Sequence, residues 1–195
     1  MSAHTENAAK TRRSGLLSLL RRYRRDQTGA SAVEFALVAA PFMVLLVGLL
    51  EVCLIFISTT TLEHGAAEAA RRVRTGELQS SGASADAFKQ IVCDNTFGLI
   101  DCGERLKVDV RVFDSFGTTS GDDPLADGTL SDEDMEFDAG VGSDIILARV
   151  FYEWNIITPV IGRPMSNMSE NRRLLQASVA FRNEPFQMTE AEGEG

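Results

Sequence analysis

Apolar and polar positions divide the chain into one long apolar run followed by shorter segments with strand or helix periodicity. The run covers residues 36–57, and Glu51 is its one charged residue. As a helix these 22 residues would extend about 33 Å, which is enough to cross a hydrocarbon core of about 30 Å. The run therefore predicts a membrane-spanning helix.

Helix-favouring sequence continues beyond this run. Residues 66–74 are rich in alanine, and Gly76 is a natural helix stop. We expect one helix of about 45 residues, about 65 Å long, that begins in the membrane and ends in the following domain. Pro41 removes a backbone donor inside it, which predicts a kink or a loosened turn.

The remainder of the chain has patterns typical of a small α+β domain. Ser84 is a candidate N-cap for a short helix with an apolar face that includes Phe88. Three segments have strand patterns, at 106–112, 145–152 and 175–181. The first and third alternate between apolar and polar residues, whereas the second is apolar on both faces, as in a central strand. About three antiparallel strands packed against helices give an α+β fold.

Charge is distributed unevenly along the chain. Residues 1–29 carry seven arginines and lysines and two acids, a net +5, so that with a total of −9 the remaining residues carry −14. Four arginines immediately precede the apolar run, at positions 21, 22, 24 and 25. Because basic flanks stay cytoplasmic, the pattern predicts a cytoplasmic N-terminus and a translocated acidic part.

The densest acidic segment lies between the first two predicted strands. Residues 122–138 contain eight acids and no base. A weak calcium candidate within it consists of Asp132, Asp134, Glu136 and Asp138. The segment has no Asp-x-Asp-x-Asp-Gly loop with a distal glutamate, so a solvated acidic loop is favoured. We expect no cofactor and no metal.

The three cysteines fit an exported protein. Cys53 falls inside the apolar run, whereas Cys93 and Cys102 lie nine positions apart in the predicted exported part. Oxidation is permitted there, so a Cys93–Cys102 disulfide is one interpretation and two reduced, buried cysteines are the other. The spacing fits neither a zinc site nor a Cys-x-x-Cys redox pair.

Residues for catalysis are scarce. The chain has two histidines: His4 lies in the basic N-terminal segment and His64 lies on the alanine-rich helix. No Walker loop, nucleophile elbow or dinucleotide fingerprint is present. The sequence therefore predicts that the protein is not an enzyme, and its basic residues lie in a leader rather than in a nucleic-acid-binding surface.

The junction between the basic segment and the apolar run reads Gly29-Ala30-Ser31-Ala32-Val33-Glu34-Phe35. It resembles the TadE-like family, the pseudopilins or minor pilins of the tight-adherence (Tad, type IVc) pilus machinery, whose leader is cut after a glycine by a prepilin peptidase. The motif consists of Gly29, then Glu34 five residues into the mature chain, then Phe35. The resemblance continues through residues 66–74 and reappears in the sequence Arg-Asn-Glu-Pro-Phe at 182–186.

This resemblance implies an organisation and a function. Residues 1–29 would be a cytoplasmic leader removed by cleavage between Gly29 and Ala30, residues 30–76 a transmembrane and extended helix, and residues 77–195 a periplasmic domain with an acidic loop at 114–143. The protein would be a single-pass protein of the bacterial inner membrane that assembles adhesive pili and serves the associated secretion. Implied partners are the prepilin peptidase, other minor pseudopilins, the pilin and the inner-membrane platform.

Two carboxylates, those of Glu34 and Glu51, lie in or next to the predicted membrane helix. An unpaired charge in hydrocarbon is destabilised by several kcal/mol. Cleavage would create an α-amine on Ala30 that supplies a cation, either in the same chain or in a neighbouring subunit. By resemblance to pilins, Glu34 would pair with the amine of a neighbouring subunit, and Phe35 would serve recognition and helix packing; a position of Glu34 at the headgroup boundary is the alternative. For Glu51, near the outer end of the run, snorkelling to water is the leading interpretation and pairing between subunits the minor one.

A different class of function remains open. The chain could be an unprocessed, membrane-anchored periplasmic binding or sensor protein whose acidic loop is the working part. Cleavage separates the two hypotheses, because an anchor keeps residues 1–29 and an assembling subunit loses them.

Overall fold

The computed structural model describes residues 29–119, 123–126, 128–131, 135–158 and 164–186. Its helices are α1 (Ala30–Arg74), α2 (Glu77–Ser80) and α3 (Ala85–Asp94). Its strands are β1 (Leu106–Phe113), β2 (Leu125–Ala126), β3 (Thr129–Leu130), β4 (Ile145–Asn155) and β5 (Arg172–Arg182). Short 3-10 turns cover Phe116–Thr118 and Ser169–Asn171. A long N-terminal helix followed by a small domain with three long strands confirms the predicted α+β class.

The chain separates into two units, Met1–Val47 and Gly48–Gly195. In the first unit, the described residues form the beginning of α1, and nearly all of their side chains are exposed. Among the described residues, α1 is the one helix long and apolar enough to cross a membrane, with a mean hydropathy of 2.6 in its most apolar window. This helix indicates a single-pass membrane anchor.

The second unit is organised around an antiparallel sheet with strand order β1-β4-β5. Val150 of β4 lies opposite Val108 on one side and Ala177 on the other. The first eight residues of β4 are all buried, as predicted for a central strand. The short β2–β3 hairpin, in contrast, was not predicted from the sequence.

The C-terminal part of α1 supplies one wall of this core. Leu62, Ala66, Ala69 and Val73 form a stripe at helical spacing and are fully buried. Small residues also permit a close approach of α3, because a Cβ added at Gly65 would lie 2.8 Å from the Val92 carbonyl oxygen. The alanine-rich sequence therefore favours the helix and also its close packing.

The ends of the helices follow the local sequence. The Ser84 side chain accepts a hydrogen bond from the Ala87 N–H at 3.1 Å, so the predicted N-cap of α3 is confirmed. α1 ends at Arg74, and Gly76 has a φ of 77°, in the left-handed region that favours glycine. A Cβ at Gly76 would lie 2.7 Å from the Phe186 ring.

The segment that follows β5 packs onto the end of α1. The Glu184 N–H donates to the Arg74 carbonyl oxygen at 2.9 Å. The buried Asn183 side chain donates through Nδ2 to the carbonyl oxygens of Ala139 and Val141, each at 3.0 Å. The Arg-Asn-Glu-Pro-Phe sequence thus connects the helix end with the loop before β4.

Candidate functional site

The predicted cleavage site lies at the beginning of α1. The helix begins at Ala30, directly after Gly29, and both residues are exposed. A Cβ added at Gly29 would meet nothing within 4 Å. Within the described part of the chain, nothing therefore covers the bond between these residues. The basic leader, at 1–28, lies outside the described residues.

Glu34 and Phe35 lie one turn further along α1, and both side chains are exposed. Ala30 and Glu34 have i, i+4 spacing and therefore share a helix face. No residue of the described part gives Glu34 a hydrogen bond or an ion pair. Pairing of its carboxylate with a neighbouring amine stays a prediction.

Glu51 has an environment that the sequence did not suggest. Its side chain is buried, with 3% of its surface exposed. Oε1 accepts a hydrogen bond from Trp154 Nε1 at 3.1 Å. Oε2 accepts from the backbone N–H groups of Ile157 and Thr158, each at 3.1 Å, and from the Thr158 hydroxyl at 3.0 Å. The snorkelling interpretation is therefore wrong: donors of the same chain, rather than water, satisfy this carboxylate.

The backbone directly after β4 creates this acceptor site. β4 ends at Asn155. The Ile156 N–H donates to the Asn171 carbonyl oxygen, and Asn171 Nδ2 donates to the Ile156 carbonyl oxygen, so these two bonds hold the backbone that follows the strand. The next two N–H groups, of Ile157 and Thr158, converge on one oxygen, as in other backbone sites that bind anions. Within the described residues, no cation lies within 4 Å of Glu51. Four hydrogen bonds from the described residues thus stabilise the buried carboxylate.

A second buried carboxylate, Asp109 of β1, lies opposite Arg149 of β4. Arg149 donates to Asp109 Oδ2 through Nε at 2.9 Å and through Nη2 at 2.6 Å. Arg111 Nε and the Glu136 N–H donate to Oδ1 at 2.8 and 3.0 Å. Burial would raise the pKa of Asp109, but the Glu136 N–H and the two guanidinium groups together hold this pKa below its usual value.

The alternation predicted that β1 has one buried apolar face and one exposed polar face, and this prediction is wrong. Asp109 is 1% exposed and Arg149 is 7% exposed, whereas Val112 on the supposed apolar face is 38% exposed. The segment around Phe137 covers β1 instead. The Val110 N–H donates to the Glu136 carbonyl oxygen, and the Asp138 N–H donates to the Val110 carbonyl oxygen. The signal that could have indicated this network was an arginine inside the otherwise apolar β4.

Two of the three cysteines lie where the polypeptide leaves α3 and in the loop that follows it. Cys93 and Cys102 form a disulfide, with 5.9 Å between their Cα atoms. The bond connects the end of α3 to the loop before β1. Cys53 is a free, exposed cysteine on α1.

The acidic calcium candidate is only partly described. Asp132 and Asp134 lie outside the described residues, while Glu136 and Asp138 are exposed. Asp138 Oδ1 accepts from the Gly140 N–H at 2.9 Å, which stabilises the local turn. In the ranges that the structure covers, no group of three or more His, Cys, Asp or Glu residues is placed to hold a metal ion.

Comparison with known families identifies the N-terminal segment. Residues 29–71 match the model of the TadE-like protein family, which confirms the resemblance seen in the sequence. The match begins at Gly29 and ends within α1, so the sequence at 182–186 lies outside it. The match indicates a protein associated with the Tad pilus machinery. Comparisons with curated proteins and with solved structures give no match for this chain.

Proposed function

We propose that this TadE-like protein is a pseudopilin, or minor pilin, that assembles adhesive pili of the Tad (type IVc) system and supports the associated secretion. The observation that carries the proposal is the position of the family match, which begins at Gly29, the residue directly before α1. A match that starts at this glycine favours cleavage between Gly29 and Ala30. Cleavage at the start of the apolar helix, rather than after it, leaves the helix on the product.

The proposed product has three parts that follow the charge and hydropathy of the chain. The basic leader, residues 1–29, stays on the cytoplasmic side and is removed by a prepilin peptidase. Residues 30–76 form the inner-membrane helix and its extension. Residues 77–195 lie in the periplasm, where the Cys93–Cys102 disulfide can form.

Glu34 has an assembly role in this proposal. Cleavage creates an α-amine on Ala30, and a carboxylate in hydrocarbon needs such a partner. Glu34 is exposed and has no partner among the described residues, so a neighbouring subunit's amine can reach it. Pairing would set the register between subunits, and the exposed Phe35 ring would pack against the neighbouring helix. The role is structural rather than enzymatic, and the partners are the peptidase, other minor pseudopilins, the pilin and the inner-membrane platform.

Mass spectrometry of the mature N-terminus tests the proposal. Native protein should begin at Ala30, and a strain that lacks the prepilin peptidase should retain the full leader. Gly29→Val should also retain the leader, whereas Ala32→Val, an equally exposed position, should mature normally. Since a Cβ at Gly29 meets nothing within 4 Å, a processing defect would not come from disturbance of the described fold.

Two outcomes would contradict the proposal. A leader that stays intact in the wild type would favour an unprocessed, membrane-anchored periplasmic binding or sensor protein. A mature chain that begins beyond Ile57 would indicate a secreted protein that has lost its apolar helix.

The role of Glu34 has a separate test. Glu34→Ala should mature but reduce the number of pili, because the neighbouring amine loses its partner. Glu63→Ala changes an equally exposed acid on the same helix and should leave pilus number unchanged. Wild-type pilus number in the Glu34 variant would remove the pairing argument and leave the cleavage proposal intact.

A further inference from the structure

A groove lies between α1 and the beginning of β5, entirely within the second unit. Its volume is about 490 Å³, and its lining includes Val52, Ile55, Phe56, Met165, Arg173 and Leu174. The three α1 residues have i, i+3, i+4 spacing and therefore form one face of the helix. The walls are mainly aliphatic and aromatic, and their polar side chains are those of Thr59, Gln176 and Arg173.

The groove is located where the apolar run of α1 ends. The run extends to residue 57, so Val52 and Phe56 lie within its last two turns. Both side chains remain exposed, Phe56 to 71% and Val52 to 46%. The groove is thus continuous with the apolar surface at the end of this run, which in a bilayer would lie near the boundary between acyl chains and headgroups.

Arg173 places a positive charge in this apolar groove. It lies opposite Trp154 in the β4–β5 register and shares a sheet face with the buried Leu175. Its Nη1 donates to the Met165 carbonyl oxygen at 2.9 Å, which positions the guanidinium group. Within the described residues, no carboxylate lies within 4 Å of Arg173.

The adjacent Arg172 has a different environment. It is not among the residues that line the groove, and it forms ion pairs with Glu153 and Glu170. The charge of Arg172 is therefore neutralised by carboxylates of the same chain, whereas no described carboxylate neutralises the charge of Arg173. The charge of Arg173 is the one that an anionic ligand can complement.

We propose that this groove binds one phospholipid of the surrounding membrane. The guanidinium group of Arg173 contacts the headgroup phosphate, because its planar array of donors matches phosphate oxygens. An acyl chain lies against Ile55 and Phe56. An apolar cleft with a few placed polar groups is typical of small-molecule sites. A phospholipid supplies the anion and the hydrocarbon together, whereas inorganic phosphate would leave the apolar walls in water. The proposal rests on the membrane anchor and not on the pilus role.

Native mass spectrometry of the full chain released from lipid nanodiscs tests this site. Wild-type protein should retain one phospholipid, and Arg173→Gln should weaken retention about tenfold or more, since it removes a charge-assisted contact. Arg172→Gln is the matched control and should retain lipid like the wild type. Phe56→Ala should also weaken retention, and because Phe56 is largely exposed this variant keeps the folded core.

Fluorescence gives an independent measurement, because Trp154 is the one tryptophan of the chain and lies opposite Arg173. Phospholipids with brominated acyl chains should quench Trp154 in the wild type and in Arg172→Gln, and quench it less in Arg173→Gln. Circular dichroism checks that each variant is folded.

Three results would overturn the proposal. The first is equal lipid retention and equal quenching in the wild type and in folded Arg173→Gln. The second is retention of inorganic phosphate in place of phospholipid. The third is a dimer, lost in Arg173→Gln, that shows the groove to be occupied by a second copy of the chain.

Discussion

Replacement of Glu51 by glutamine tests the hydrogen bonds that hold the chain after β4 against α1. The substitution preserves the size of the side chain but removes its charge and one acceptor. The amide oxygen of glutamine can take the place of Oε2 and accept from Ile157 and Thr158. Its NH₂ group then faces the Trp154 Nε1–H, so that one donor meets another.

The expected loss follows from these contacts. A hydrogen bond to a charged acceptor contributes about 1.5–3 kcal/mol, against about 1 kcal/mol for a neutral pair. Losing the Trp154 bond and weakening the other three should reduce the stability of the segment by about 2–3 kcal/mol. Since 1.4 kcal/mol is a factor of ten, local opening should become about 30- to 140-fold more frequent.

Hydrogen–deuterium exchange of the full chain in nanodiscs measures this change. Peptides that cover residues 154–158 should exchange faster in Glu51→Gln by that factor, while peptides from β1 should change little. Glu63→Gln removes an exposed charge from the same helix and serves as the control. Exchange within twofold of the wild type in Glu51→Gln would show that the carboxylate does not hold this segment.

Further predictions concern the second unit, with free energies of unfolding measured by denaturant titration of the solubilised full chain. Replacing Cys93 and Cys102 by serine should lower the free energy of unfolding by about 2–3 kcal/mol, because the bond closes a short loop in the unfolded chain; reduction of the wild type should have the same effect. Asp109→Asn should destabilise by about 3–5 kcal/mol, since a buried arginine loses its charged partner. The pKa of Asp109 is lower in the folded state than in the unfolded state, so its ionised carboxylate stabilises the fold above the usual carboxyl pKa. This stabilisation is lost as the pH falls through the folded-state pKa. The free energy of unfolding of the wild type should therefore fall more steeply with acid than that of Asp109→Asn. Gly76→Ala should lower the melting temperature more than Gly82→Ala, because both glycines have positive φ but only the first added Cβ meets another side chain, and equal losses would contradict the packing argument.

Local patterns were sufficient to predict most of the elements. The alternation at 106–112 and at 175–181 and the apolar run at 145–152 correspond to β1, β5 and β4. The helix of about 45 residues and the Ser84 cap were also predicted, because helix propensity, caps and glycine stops act within a few residues. The family resemblance came from equally local residues, at 29–35.

The buried polar contacts could not be predicted from local sequence. Glu51 and Trp154 lie 103 positions apart, so the local pattern showed only a carboxylate in an apolar run, for which snorkelling was the natural interpretation. Asp109 stood on the polar side of an alternating strand, and only the strand register brings it opposite Arg149. Such contacts depend on how distant segments meet, which periodicity does not encode.

The fully buried stripe of α1 from Leu62 to Val73 has a consequence for biogenesis. The anchor helix also supplies a wall of the domain's core, and among the described residues no other helix approaches its length. Since synthesis proceeds from the N-terminus, the helix is made before the strands that fold onto it. A fragment that begins at residue 77 would lack this wall and leave part of the apolar sheet face uncovered. Folding of the second unit therefore depends on the same helix that indicates the membrane anchor.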